Sequence, residues 1–105
     1  MPCPDLPELH FAQPHFHIGR NTSVRRGTRW HGVAEAWLQL PSTSQARRVR
    51  LRTELRPFCE LTEAELACEH DPRCRTPAGL LAVMQQLYPG FSAAETVTLV
   101  HFELP

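Results

Sequence analysis

The chain contains no lysine, and all eleven of its basic residues are arginine. Arginine stays protonated at every accessible pH, whereas a buried lysine amine can lose its proton. The absence of lysine therefore excludes a Schiff-base amine and a lysine general base. Arginine instead provides a planar fork of N–H donors that suits phosphates, carboxylates and base edges.

Long apolar runs and closely spaced cysteine pairs are also missing. No stretch approaches the roughly 20 apolar residues of a membrane span, and the segment Met1–Asp5 lacks the features of a signal peptide. We therefore expect a cytoplasmic protein with no membrane partner. Because Cys3, Cys59, Cys68 and Cys74 include no Cys-x-x-Cys pair, we expect no metal and no other cofactor. The cysteines should be reduced, with Cys59 and Cys68 as buried, unreactive thiols.

The chain has 105 residues, of which 42% are hydrophobic, and this size predicts one domain spanning residues 1–105. Its net charge is zero, but residues 20–56 carry nine arginines against only Glu35 and Glu54. This segregation indicates a positive surface that faces an anionic partner. It is equally compatible with arginines that line the solvated faces of strands.

The first half of the chain has the pattern of strands. Residues 9–18 predict a strand or a short helix broken at Pro14, and residues 21–26 predict a short strand. Residues 33–40 and 47–55 predict a hairpin. In its second strand, four residues that alternate with charged ones are expected to point inward: Val49, Leu51, Thr53 and Leu55.

The second half predicts two helices and a last strand. Thr62 and Glu65 have the spacing of a capping box, which predicts a helix over residues 63–69, followed by a loop. Thr76 and Pro77 predict the start of a second helix. Its apolar face comprises Leu80, Val83, Met84 and Leu87.

Residues 96–104 predict the last strand, with a slip in its alternation near Val100 and His101. The order of elements favours an α+β fold, a barrel-like sheet with helices on one side.

Two segments carry candidate binding residues. The segment Gly19–Gly27 places a flexible glycine at each end of a polar, basic stretch. Its candidate ligand-binding residues are Arg20, Asn21, Thr22, Ser23, Arg25 and Arg26. Glu69 could act as a general base or orient a ligand amino group, or it could be a surface glutamate. Trp30 or Phe16 could stack on a base, although Trp30 fits equally well in a core.

These features resemble the ASCH domains of the PUA-like superfamily. The resemblance lies in residues 58–63, in the helix that ends in Tyr88-Pro89-Gly90, and in residues 96–104. Gly19–Gly27 resembles the family signature Gly-x-Lys-Thr-x-Thr-x-Arg, whereas residues 28–46 match poorly. The resemblance implies a small β-barrel with two or three flanking helices, and a cleft for RNA or a modified nucleoside.

Within the family, the small bacterial acetylcytidine amidohydrolases are similar in size and order of elements. The resemblance implies a catalytic lysine, threonine and glutamate, and Glu69 matches the glutamate if residues 71–75 are an insertion. The other two positions depend on the register: the lysine falls on Asn21 or Arg20, and the threonine on Val24 or Ser23. Neither register supplies a lysine, and arginine cannot replace one as a base.

Two functions follow from these features. The first is a non-catalytic module, expected to be a monomer, that binds RNA or a modified nucleoside in an arginine-lined cleft. The second is an acetylcytidine hydrolase or an RNA nuclease with Glu69 as general base. In that case Ser23 or Thr22 would bond the substrate, and Arg20 would hold developing charge. A vestigial cleft in an interaction domain is a third possibility.

Overall fold

The computed structural model describes residues 6–11, 16–39 and 46–104. These residues form an α+β domain with six strands and two α-helices. The strands are β1 (Glu8–Leu9), β2 (Gly19–Arg26), β3 (Glu35–Gln39), β4 (Ala46–Arg50), β5 (Arg52–Pro57) and β6 (Thr96–Leu104). The α-helices are α1 (Glu63–Leu66) and α2 (Pro77–Leu87), and short 3-10 helices lie at Phe58–Glu60 and Pro72–Cys74. The expectations for Met1–Asp5, Cys3 and Pro14 lie outside the described residues.

The strands form two three-stranded sheets. In the first sheet, β3 lies between β1, which is parallel to it, and β4, which is antiparallel. In the second sheet, β6 lies between β2 and β5 and is antiparallel to both. The predicted hairpin is confirmed by the antiparallel pairing of β3 with β4, in which Ala36 lies opposite Val49.

The single strand predicted over residues 47–55 is wrong, because the chain changes sheets at Leu51. There the backbone N–H of Leu51 donates to the carbonyl of Ala34 over 2.8 Å, and the chain then continues as β5 in the second sheet. The predicted alternation survives only in part. Val49 is buried in the core, whereas Leu51, Thr53 and Leu55 are only partly buried.

The second sheet is covered on both faces. Between the two sheets lies one apolar cluster: Leu9, Trp30, Ala36, Leu38, Val49, Val100, Phe102 and Leu104. A second cluster fills the space under the helices: Val24, Phe58, Leu61, Leu66, Cys74, Leu80, Met84, Phe91, Val97 and Leu99. The helices therefore lie on one side of the second sheet, as the sequence predicted.

β6 explains the irregular pattern seen at the end of the sequence. Val97 and Leu99 belong to the cluster under the helices, whereas Phe102 and Leu104 belong to the cluster between the sheets. Pairing with β2 is continuous over all eight residues of β2. The predicted slip near Val100 is therefore wrong, since the strand alternates regularly and both of its faces are buried, each against a different apolar cluster.

Both predicted helix starts are confirmed. Thr62 and Glu65 form a reciprocal capping box, and Thr76 caps α2 at the N–H of Gly79. However, α1 ends at Leu66 rather than at residue 69, and a 3-10 helix replaces part of the predicted loop. In α2, Leu87 departs from the predicted apolar face, because it is 51% exposed. No helix within the described ranges is long and apolar enough to cross a membrane.

Replacement of Gly79 by alanine should destabilise the domain, although alanine is normally the better helix former. A Cβ at this position would lie 2.1 Å from the carbonyl oxygen of Arg73, a backbone atom that cannot move away easily. We expect the free energy of unfolding to fall by about 1–3 kcal/mol, the usual cost of overpacking. Urea unfolding of Gly79→Ala would measure it. The exposed position Ala82 is the control, since Ala82→Gly should cost only about 1 kcal/mol of helix propensity. An increase in stability for Gly79→Ala would contradict this packing argument.

Candidate functional site

The basic segment Gly19–Gly27 is mainly strand β2, which confirms the strand predicted over residues 21–26. One edge of β2 pairs with β6, and the segment Cys68–His70 closes the other edge at Thr22. The N–H of Thr22 donates to the carbonyl of Cys68 over 2.8 Å, and the N–H of His70 donates to the carbonyl of Thr22 over 3.0 Å. These two bonds fix Glu69 beside the strand.

A cavity of about 370 Å³ opens between β2, the segment after α1, and α2. Its volume lies within the range of small-molecule sites. Apolar walls come from Leu80, Met84 and Leu87, and Phe11 and Tyr88 add aromatic rings. Three of the predicted site residues line this cavity together: Ser23, Arg25 and Glu69. The basic strand and the end of the first helical segment therefore face one cavity.

Glu69 is 2% exposed and is not the surface glutamate that the sequence allowed. Its Oε1 accepts from the N–H of Asp71 over 3.3 Å and lies 2.5 Å from Nδ1 of His70. That Nδ1 also lies 3.3 Å from the carbonyl of Thr22. Because both partners accept, the Nδ1 of His70 carries the proton. Oε2 of Glu69 makes no hydrogen bond within the described ranges and remains available to a ligand donor.

Within the described ranges, Arg25 is a cation without a carboxylate partner. Its Nε donates to Ser23 Oγ over 2.9 Å, and its guanidinium carbon lies 4.6 Å from the ring centre of Phe11. Nη2 is buried and has no hydrogen-bond partner among the described residues. Burial lowers the pKa of Arg25, while the charges of Tyr88 and Glu69 oppose the shift. A buried donor of this kind is costly unless a ligand satisfies it.

The side chains of two other predicted site residues are hydrogen-bonded within the domain. The side chain of Asn21 is buried, and its amide donates to the carbonyls of His17 and Gly19 over 2.8 and 3.2 Å. Thr22 is also buried, and its Oγ1 bonds to Nδ1 of His101 over 2.9 Å. Neither side chain reaches the cavity.

The remaining predicted ligand-binding residues lie elsewhere. Arg20 lines a separate groove, and Arg26 forms a two-point ion pair with Glu95. Trp30 belongs to the core between the sheets and borders only a neighbouring hollow. Phe16 is half-buried and packs edge-on against Phe11, with ring centres 4.9 Å apart.

Sequence reasoning missed His70, Phe11 and Tyr88 as parts of the cavity. Of these three, only His70 could have been inferred from the sequence, because it directly follows Glu69. Of the cysteines, Cys74 lines the cavity, and burial raises the pKa of its thiol to about 12, so it is unreactive. Cys59 is exposed, so its predicted burial is wrong, and Cys68 is half-buried.

His101 lies under β2, apart from the cavity. Arg20 Nη2 donates to its Nδ1 over 3.3 Å, so that nitrogen accepts and the proton is on Nε2, which donates to Glu54 over 2.9 Å. Burial lowers the pKa of His101, and the hydrogen bond that His101 donates to Glu54 opposes the shift. The hydrogen-bond arrangement therefore holds a neutral imidazole.

Comparison with family models, with curated proteins and with solved structures finds no match for this chain.

The free energy of unfolding should decrease as the pH falls below about 6.5, the pKa of an unperturbed histidine. Above that pH His101 is neutral in both states, and its contribution is fully present. As the pH falls towards its lowered folded pKa, the unfolded chain binds the proton first and becomes favoured. Urea unfolding at several pH values would measure this dependence. The free energy of unfolding of His101→Gln should change less with pH than that of the wild type. Loss of the exposed His31 in His31→Gln should leave the slope unchanged. A wild-type slope in His101→Gln would refute the assignment.

The variant Arg25→Met should be at least as stable as the wild type. It replaces an unpaired buried cation by an apolar side chain of similar length, which is commonly neutral or stabilising by about 1 kcal/mol or more. Thermal and urea unfolding measure the difference. The neighbouring variant Arg26→Met, which breaks an exposed ion pair with Glu95, should instead be slightly less stable than the wild type. A marked loss of stability in Arg25→Met would show that the guanidinium serves the fold.

Proposed function

We propose that this chain is an ASCH-type domain that binds RNA or a modified nucleoside in the cleft between β2 and α2. The two sheets, joined at Leu51, would then be the two sides of a small PUA-like β-barrel. The proposed setting is the cytoplasm, with the domain acting as a monomer. The family's lysine-dependent catalysis would be absent.

The unsatisfied Nη2 of Arg25 supports this proposal most strongly. The carbonyl oxygens and ring nitrogens of a nucleobase are acceptors that this donor could bond. Glu69 Oε2 could accept from an exocyclic amino group, while Phe11 and Tyr88 could contact the base plane. One cleft therefore combines a donor, an acceptor and apolar walls, which suits a base edge.

The positions that would replace the family's catalytic groups support binding rather than turnover. In one register the lysine position is Asn21, whose amide is bonded to backbone carbonyls, and the threonine position is Val24, which has no hydroxyl. In the other register they are Arg20, which lines a different groove, and Ser23, whose hydroxyl accepts from Arg25. Neither pair provides a base that could activate a nucleophile at the cavity.

One observation favours the alternative, a hydrolase that uses Glu69. This buried carboxylate is held by His70 and by the N–H of Asp71, an arrangement that could orient a general base. In such an enzyme, Glu69 would remove a proton from water, and Arg25 would stabilise negative charge on the substrate oxygen.

Titration of the purified chain with acetylcytidine, cytidine and the other common nucleosides, followed by NMR or calorimetry, tests the proposal. We expect at least one nucleoside to bind, and Arg25→Gln to weaken it roughly 10- to 100-fold. That range corresponds to the loss of one charged hydrogen bond worth about 1.5–3 kcal/mol. Arg56→Gln removes the same charge from β5, where Arg56 pairs with Glu65, and should bind normally.

The same samples separate binding from catalysis. The proposal predicts no release of acetate from acetylcytidine and no cleavage of short RNA. Turnover that Glu69→Gln abolishes would establish the hydrolase instead. Failure of every nucleoside and RNA to bind would leave the cleft vestigial and refute the proposal.

A further inference from the structure

A second concave surface, which we call the arginine groove, lies at the point where the chain passes from β4 to β5. Its volume is about 830 Å³, more than twice that of the cleft. Five exposed arginines line it, and Glu103 is the only carboxylate among the lining residues that the structure describes. The five are Arg20, Arg47, Arg48, Arg50 and Arg52.

Most of these arginines form no direct ion pair within the described part of the chain. Arg48 pairs with Glu35. Arg47, Arg50 and Arg52 form none, although Arg50 interacts electrostatically with Glu35 and Arg52 with Glu54. The side chain of Arg20 bonds to the imidazole of His101. Other exposed arginines do have carboxylate partners, such as Arg26 with Glu95. The groove therefore concentrates positive charge that an external anion could neutralise.

The extent of the charge argues against a single small anion. Arg47 and Arg52 are five residues apart, up to roughly 16 Å along an extended chain. One phosphate or carboxylate occupies one or two guanidinium forks. Among the described lining residues, the rings of His101 and Phe102 are only 5% and 2% exposed, so neither offers a surface on which a base could stack. This chemistry suits the repeated phosphates of a nucleic acid backbone rather than its bases.

β2 connects the arginine groove to the cleft. Arg20 lines the groove and Ser23 lines the cleft, about 10 Å apart along the strand. Because Arg20 and Ser23 are an odd number of residues apart, their side chains point to opposite faces of the sheet. A short single strand that reached both surfaces would therefore pass around the edge of the sheet, with one unstacked residue in the cleft.

We propose that the arginine groove binds the phosphodiester backbone of a single-stranded RNA, so that the cleft receives one residue of a polynucleotide. This inference rests on the proposed function and specifies its ligand. Arg50 and Arg52 supply backbone contacts that are independent of sequence and sensitive to salt.

The test uses the full chain and a fluorescent single-stranded RNA of about eight nucleotides, within the usual site size of such proteins. Fluorescence anisotropy between about 50 and 200 mM salt gives the salt dependence. Each lost phosphate contact lowers the slope of log K against log salt by about 0.7. The double variant Arg50→Gln/Arg52→Gln should therefore lose about 1.4 from the slope and bind about twentyfold more weakly at 0.1 M salt. Its affinity for the free nucleoside should be unchanged.

Two controls make the result specific. A double variant with Arg56→Gln and Arg26→Gln removes the same number of charges outside the groove and should keep the RNA slope near that of the wild type. Urea unfolding of both double variants checks that each is folded. If the groove variant matches this control, the inference is overturned while the proposed function stands.

Other outcomes distinguish the partners and the two proposals. If single-stranded DNA binds as tightly as RNA, the preference for RNA is overturned. Binding to vesicles that contain phosphatidylserine, lost in the groove variant while RNA binding persists, would overturn the inference in favour of a membrane surface. If RNA binding depends on the groove but Arg25→Gln changes neither RNA nor nucleoside affinity, the proposed function of the cleft is overturned. The arginine groove then remains as the binding site.

Discussion

The backbone N–H and C=O of Thr22 lie on the edge of β2 that β6 does not cover, and Thr22 is fully buried. Buried backbone groups need hydrogen-bond partners, and Cys68 and His70 supply them. The cleft depends on this junction, because it holds Glu69 against the strand that carries Ser23 and Arg25. The chain then continues into the segment that leads to α2, which forms the opposite wall.

Inside the cleft, polar groups are either satisfied by the protein or left for a ligand. Ser23 Oγ and Glu69 Oε1 already have partners, whereas Arg25 Nη2 has none in the described structure. An unsatisfied cation on an apolar wall opposes folding. Its presence is consistent with selection for binding, since functional sites commonly retain groups that stability alone would remove.

The cleft and the arginine groove differ in the kind of contact they offer. The cleft is narrow and partly apolar, so it suits the shape and edge of one base. The groove is wide, and its arginines are exposed, so it suits charge without sequence recognition. Both lie along β2, and a strand of nucleic acid is one ligand that could use both.

The sequence alone determined the local structure where short-range chemistry dominates: the capping box at Thr62, the start of α2 at Pro77, and the hairpin of β3 with β4. It also excluded a lysine from any mechanism and identified Ser23, Arg25 and Glu69 as candidates. Only the tertiary structure decided which side chains share a cavity. Side chains on one strand alternate between faces, so Arg20 and Thr22 point away from Ser23 and Arg25. Asn21 shares the face of Ser23, but its amide is held by the carbonyls of His17 and Gly19. Phe11 and Tyr88 reach the cleft from distant parts of the chain, a long-range arrangement that no local pattern encodes.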